Sequence, residues 1–274
     1  MKNPIGCSTV MFGGELPEKL AAMRAAGFSH TEITSRDLFE TLQGPEYALS
    51  VLRDSGLAVS CLQLIRDFEG APRDSLERKL GIIEHVMDQA LFAGTDLLVL
   101  CASTLADASA DEDTICEDLR RLADLAKSKN LRIAWEPIAW ATWYHDFRAA
   151  WRIVRKLDHA NLGLVIDTTH IGILQQDFDE VRQIDPAKIF LVEIADLAAS
   201  RLGKREQSRY YRLLPGEGVL ELEKLVGALK DIGYQGVLSL EIFSDHYRHL
   251  PPALAAREGY QAMRQLLDRS DRTR

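Results

Sequence analysis

The chain has 274 residues, 46% of them hydrophobic and 27% charged, an ordinary globular composition with enough apolar side chain for a large core. Its 33 Lys and Arg stand against 41 Asp and Glu, a net charge of -8 with no basic arm or block, which argues against a polyanionic partner such as nucleic acid. Nowhere do roughly 18 apolar residues run together, and the start MKNPIGCSTVMFGGELPEKL lacks the apolar core of a secretion signal, so no membrane association and a cytoplasmic location are expected.

Short apolar, β-branched runs alternate along the chain with longer stretches of helical period. IGCSTV leads into LPEKLAAMRAAG, HTEIT into PEYALSVLRDSG, AVSCLQLI into SLERKLGIIEHVMDQALFAG, and DLLVLCAS into DTICEDLRRLADLAKSKN. RIAWEPI then leads into DFRAAWRIVRKLD, LGLVIDT into DFDEVRQID, KIFLVEIA into LELEKLVGALKDIG, and VLSLEIF into AAREGYQAMRQLLDRS. Gly27, Gly56, Gly94, Asn130 and Gly233 close several of the helical stretches, as residues that tolerate the left-handed turn at a helix C-terminus do. Eight strand-helix units predict an α/β chain folded as a single (β/α)8 TIM barrel over residues 1–274. A doubly wound open sheet is disfavoured, because no glycine-rich dinucleotide fingerprint follows the first strand. No linker divides the chain, and the polar tail RSDRTR is expected to fray. Cys7, Cys61, Cys101 and Cys116 lack CxxC spacing and read as small hydrophobes rather than disulfides or zinc ligands.

Carboxylates recur late in four successive strand-like runs. Glu136 ends RIAWEP, Asp167 ends LGLVID, Glu193 lies late in KIFLVEI and Glu241 late in LSLEIF. A barrel of this kind presents the C-terminal ends of its strands to substrate, so strands five to eight would gather these acids around one point. Like charges in a medium of reduced dielectric repel strongly, and a divalent cation is expected between them. Oxygen donors favour Mg²⁺ or Mn²⁺, with Co²⁺ or Zn²⁺ as further candidates, over a closed structural zinc site. Any one of these acids alone could equally cap a helix or pair with a base; four in register carry the metal reading. His170 follows Asp167 by three residues in DTTH and is the catalytic candidate, since a neutral imidazole of ordinary pKa about 6.5 suits proton transfer near neutrality. His145, His246 and His249 have weaker claims, and His30, His85 and His159 are assigned structural or surface roles.

Arg66, in LIRDFEG, leaves strand three at the mouth, and Arg209 and Arg212 lie in SRYYRLLPGEG after strand seven. A guanidinium facing the pocket can grip a carboxylate through two parallel hydrogen bonds, which suits an acidic, sugar-like substrate. For Arg66 the competing reading is an ion pair with Asp67 or Glu69; for Arg209 a structural ion pair is preferred. Phe12, Trp135, Trp140, Trp143, Tyr144, Tyr210 and Tyr211 are candidates for the pocket wall or for packing.

The acids of strands five to eight, with VEIAD on strand seven and LLPGEG after it, resemble the xylose-isomerase-like group of sugar isomerases and epimerases, which are metal-dependent TIM barrels. GLAVSCLQLIRDFEGAP, DHANLGLVIDTTH, SRYYRLLPGEGVL and GVLSLEIFSD are more narrowly similar to the bacterial 3-dehydroshikimate dehydratase family, over nearly the whole chain. The resemblance implies that Glu136, Asp167, Glu193 and Glu241 bind a divalent metal and that Arg66, Ser208 and Arg212 hold the substrate. It also implies β-elimination of water from 3-dehydroshikimate, a small anionic cyclic hydroxyketone, to give protocatechuate. A keto-sugar isomerase or epimerase would begin with the same proton abstraction and is the alternative. Two departures stand out. Glu193 occupies a position where the family often offers Gln and the wider group a His, a change expected to tighten metal binding and weaken the metal as a Lewis acid. Thr142 and Trp143 stand where the dehydratases carry a basic pair. The sequence is compatible with a homo-oligomer.

Overall fold

The computed structural model describes residues 2–272. Ten strands occur in chain order: β1 (Ile5–Ser8), β2 (His30–Thr34), β3 (Ala58–Arg66), β4 (Leu97–Cys101), β5 (Arg132–Glu136), β6 (Leu162–Asp167), β7 (Ile189–Ile194), β8 (Asp196–Leu197), β9 (Arg212–Leu213) and β10 (Leu238–Leu240). Eight of them close into a barrel in the order β1-β2-β3-β4-β5-β6-β7-β10, and every neighbouring pair is parallel. This is the (β/α)8 barrel expected from the alternation of elements. β8 and β9 form a separate two-stranded antiparallel ribbon.

The structure departs from the expected elements in three places. DFDEVRQID forms a short 3₁₀ turn over Phe178–Gln183, and a six-residue helix, Thr168–Ile173, starts directly at the end of β6. The last barrel strand ends at Leu240, so Glu241 stands one residue beyond it, although its N–H still donates to the Ile194 carbonyl at 3.1 Å. The tail does not fray through its described part: the last helix runs from Pro252 to Arg272, Ser270 is buried, and Arg269 pairs with Glu223 at 2.7 Å. Thr273 and Arg274 lie outside the described residues.

Side chains alternate across a strand, so residues two apart share a face. A small apolar plug of Cys61, Leu97, Val99, Ala134, Val165 and Leu191 lies apart from the main core. Two residues further along the same strands come Gln63, Cys101, Glu136, Asp167 and Glu193. The alternation that directs the plug residues inward thus directs this polar layer inward as well, above the plug at the C-terminal mouth. The main core fills the space between barrel and helices; Phe28, Met87, Trp135 and Met263 are fully buried there.

The ribbon is held over the mouth by one carboxylate. Asp196 is buried and accepts four backbone N–H groups, from Leu197 at 2.9 Å and from Gly216, Gly218 and Leu220 at 3.0 Å each. This explains the pairing of VEIAD with LLPGEG in the sequence: the acid of the first motif gathers the loop of the second. Gly218 must be glycine, because a Cβ there would lie 2.3 Å from the Leu197 carbonyl oxygen and 2.4 Å from Asp196 Oδ1. Because β9 is the other strand of this ribbon, Asp196 also fixes where Arg212 enters the site. Removing a buried acceptor leaves its donors unsatisfied at ~1–3 kcal/mol each when water cannot reach them. Asp196→Ala is therefore expected to lower stability by about 3 kcal/mol or more, read as a fall in urea midpoint at constant m-value; a loss below ~0.5 kcal/mol, the usual range for surface changes, would contradict the anchoring role.

Candidate active site

Five carboxylates from five strands or strand ends meet inside the mouth: Glu32, Glu136, Asp167, Glu193 and Glu241, none more than 6% exposed. Four of them were expected to gather around one point; at a span of 4.8 Å they fall into two adjoining groups, bridged by Arg212. Oxygens of Glu136 and Asp167 lie within 4.8 Å of one another and of a His170 nitrogen, and those of Glu32, Glu193 and Glu241 form a second group of the same span. Arg212 joins the groups. Its Nη1 is 2.7 Å from Glu241 Oε2 and 3.0 Å from Asp167 Oδ2. Its Nε donates to the Ser208 carbonyl at 2.9 Å and its Nη2 contacts Ser208 Oγ at 3.3 Å. Burial works against the Arg212 charge, but Asp167, Glu241, Glu193 and Glu136 outweigh it and hold the guanidinium more firmly protonated than usual. Of the residues expected to hold substrate, Arg212 is thus committed to the acids, and Ser208 is fully buried beneath it rather than on the cavity wall.

The second group is tied together by Gln63, whose Nε2 reaches Glu32 at 2.6 Å, Glu241 at 2.7 Å and Glu193 at 3.2 Å. Glu32 Oε1 and Glu193 Oε2 have no hydrogen-bond donor among the described residues. Burial, then the charges of Glu241, Glu32, Glu136 and Asp167, push the Glu193 carboxyl well above the usual carboxylate range. Burial also raises Glu32, and it lifts Glu241 to about 8 against the opposing pull of Arg212. Glu136 shifts the other way: burial is outweighed by the His170 imidazole, the Cys101 thiol at 2.8 Å and Arg212. Oxygen-rich, buried, partly undonated and short of positive charge, this set fits a hard divalent cation, and the guanidinium lodged between Asp167 and Glu241 marks a place where positive charge is accommodated.

Asp167 serves two masters. Its Oδ1 caps the Thr168–Ile173 helix through Thr169 N at 2.7 Å, and its Oδ2 faces the site. That helix carries His170 back over the acids, with Nε2 at 3.4 Å from both Glu136 Oε1 and Asp167 Oδ2. Its Nδ1 accepts from Ala139 N at 3.2 Å, and Trp140 packs edge-on at 5.1 Å. A backbone donor at Nδ1 assigns the neutral ring's proton to Nε2, the nitrogen that faces the acids.

Arg66 forms neither of the pairs considered for it: Asp67 accepts from Thr104, and Glu69 from Ser103 N at 2.6 Å. Arg209 also lacks a carboxylate partner among the described residues and instead lies over the Phe243 ring at 4.3 Å. Both arginines line the small cavity over His170 and Glu241. Thr142 and Trp143 point elsewhere, Thr142 Oγ1 to Leu105 O at 2.9 Å and Trp143 Nε1 to Ala108 O at 2.8 Å, so that departure shapes a neighbouring loop. Trp140 and Phe243 form the aromatic wall, whereas Trp135 is core and Tyr210 and Tyr211 are rim residues. His145, His246 and His249 do not line this cavity. Glu32, inside the strand-like run HTEIT, and Gln63 were not singled out in the sequence, and Cys101 was read there as a small hydrophobe. All four cysteines are free and buried.

The model of the family described as "Xylose isomerase-like TIM barrel" matches residues 20–266. The chain belongs to this family. Within it, the chain is 37% identical over 267 residues to 3-dehydroshikimate dehydratase of Pseudomonas putida, a match covering 97% of this chain and 42% of that protein. The 3-dehydroshikimate dehydratase of Pseudomonas aeruginosa matches at the same identity and coverage. The chain therefore spans less than half the length of these curated relatives. Inosose isomerase of Bacillus subtilis is 31% identical over 133 residues, 48% of this chain and 47% of that one. Among solved structures, a xylose isomerase-like TIM barrel/4-hydroxyphenylpyruvate dioxygenase fusion protein superposes with a TM-score of 0.95 at 36% identity, covering 98% of this chain and 43% of that chain. Among the described residues no helix is long and apolar enough to cross a membrane.

A cation that binds at Glu241 must displace the proton that burial retains there up to about pH 8. Glu241 is raised in the folded state, so its protonation favours folding below that value, and the metal-free protein loses this contribution as pH rises from the usual carboxylate range toward 8. Metal binding has the opposite sign, because fewer protons need to leave as pH rises. The increase in thermal midpoint produced by Mn²⁺ is expected to grow between pH 6 and pH 8 and to be lost in Glu241→Gln; a pH-independent increase that survives the substitution would contradict this linkage.

Proposed function

We propose that this chain is a divalent-metal-dependent dehydratase that eliminates water from 3-dehydroshikimate, or a similar small anionic cyclic hydroxyketone, to give protocatechuate. The observation that carries the reading is the position of His170 Nε2, 3.4 Å from both Glu136 and Asp167, beside a cavity lined by Arg66 and Arg209, which have no ion pair among the described residues. Similarity to the two Pseudomonas dehydratases along nearly the whole of this chain supports dehydration among the reactions such a site can perform.

Glu136, Asp167, Glu193 and Glu241 are the proposed metal ligands, and their oxygens favour Mg²⁺ or Mn²⁺ over softer ions. When bound, the metal supplies Lewis-acid stabilisation of negative charge growing on the ketone oxygen, a contribution of several kcal/mol. The protein supplies the rest. Arg66 holds the carboxylate end so that the reacting carbon meets the imidazole. His170, whose neutral ring carries its proton at Nε2, donates that proton onto the departing hydroxyl. Ser208 and Arg212 serve the substrate from behind: Ser208 fixes Arg212, whose charge offsets Asp167 and Glu241. Trp140 and Phe243 shield the site from water. The C–H bond beside the carbonyl breaks, the C–O bond to the leaving hydroxyl breaks with its electron pair, and proton and hydroxide leave as water; the dienone then loses a proton from its remaining ring CH2 while the ketone oxygen gains one, and the ring becomes aromatic.

A keto-sugar isomerase or epimerase is the second reading, supported by the similarity of half of the chain to inosose isomerase. It shares the first proton abstraction and returns the proton elsewhere. Protein loaded with Mn²⁺ is expected to generate an aromatic absorbance band from dehydroshikimate. His170→Asn is expected to reduce that rate by about 10²–10⁴-fold with metal content retained. An unchanged spectrum with metal-loaded protein that interconverts keto-sugars would transfer the assignment to the isomerase; loss of metal in His170→Asn would make His170 a ligand.

A further inference from the structure

Five basic residues line the larger of two adjoining cavities at the barrel mouth, a space of about 710 Å³ beside the small one over His170. Three of them have acidic partners: Lys19 pairs with Asp37 at 3.4 Å, Arg36 with Glu40 at 3.5 Å, and Arg248 with Asp245 at 3.6 Å. Arg66 and Arg209 make no ion pair within 4.0 Å among the described residues, and these two line both cavities. They come from distant parts of the chain, Arg66 at the end of β3 and Arg209 in the helix Lys204–Tyr210 that precedes β9.

We propose that Arg66 and Arg209 form a two-arginine clamp for the substrate carboxylate, with Arg209 a substrate-positioning residue. The inference rests on the dehydratase reading for the substrate and goes beyond it in the residue it names. Arg212 cannot fill this role while its Nη1 holds Asp167 and Glu241 and its other nitrogens hold Ser208. Arg209 is better placed. Its Cζ lies 4.3 Å over the centre of the Phe243 ring, a cation–π contact that holds the guanidinium while leaving N–H groups to a ligand. Burial, followed by the facing charge of Arg66, works against the protonated form of Arg209, so the free site carries a repulsion that an incoming anion relieves. A carboxylate bridging both forks satisfies them together. A neutral sugar would leave both unpaired, and the clamp thereby selects acidic rings over the neutral keto-sugars of the second reading.

The test compares calorimetric binding of protocatechuate with that of its neutral isostere, 3,4-dihydroxybenzamide, to Mn²⁺-loaded protein. The wild type is expected to prefer the acid. Arg209→Gln should reduce that preference by about 10–100-fold, the usual weight of a charged hydrogen bond, with amide affinity unchanged, and Arg209→Lys should restore part of it. In turnover, Arg209→Gln should raise KM with kcat within about three-fold, the pattern of lost uniform binding. An unchanged acid-to-amide ratio in Arg209→Gln, or equal weakening of both ligands, would overturn the clamp. A wild type that prefers the acid but forms no protocatechuate from dehydroshikimate would refute the dehydratase reading and leave the clamp standing.

Discussion

The mouth of this barrel is organised by an electrostatic problem: five carboxylates are buried within a few ångströms of one another, and a single guanidinium, that of Arg212, stands among them. Two unit charges at about 4 Å repel by ~4 kcal/mol even at an effective dielectric of 20, so the protein cannot hold all five ionised without help. Burial, with mutual repulsion at Glu193 and Glu241, raises the carboxyls of Glu32, Glu193 and Glu241 above their usual range, and donors reach the acids from Gln63, Cys101, His170 and Arg212. A divalent cation resolves the same problem by another route, and the proposed chemistry follows from that competition between protons, guanidinium and metal.

The rest of the fold serves this arrangement. Alternation along the strands lifts the polar layer above an apolar plug, so the acids sit at the reactive end of the barrel and not within its core. Asp196 collects the backbone of the loop after β9 and thereby sets the ribbon that delivers Arg212. The short helix after β6 returns His170 over Glu136 and Asp167. Function here is less a matter of individual residues than of how rigidly the barrel fixes their mutual distances.

The barrel was legible because eight apolar runs alternate with helical periods, and periodicity is the strongest signal that a sequence carries. The acids of strands five to seven were legible for a related reason, since each terminates or nearly terminates an apolar run. Their division into two groups was not, because strand tilt and register decide which carboxylates meet, and neither is written in local composition. Glu32 was overlooked because HTEIT is polar enough for an acid to pass as surface. Arg209 was expected in an ion pair and Arg212 at the substrate; both line the small cavity, Arg212 pairs with Asp167 and Glu241, and Arg209 has no carboxylate partner among the described residues. Both lie in SRYYR, and only the turn between the helix Lys204–Tyr210 and β9 determines which one enters the acid cluster.

The central claim is that the acids converge because a cation belongs among them. Crystals grown with Mn²⁺ and examined by anomalous diffraction test it most directly. The account predicts one strong anomalous peak that draws oxygens of Glu136, Asp167, Glu193 and Glu241 together, with Arg212 still held by Ser208 and the acids. A map without a peak there in protein that remains active would contradict it.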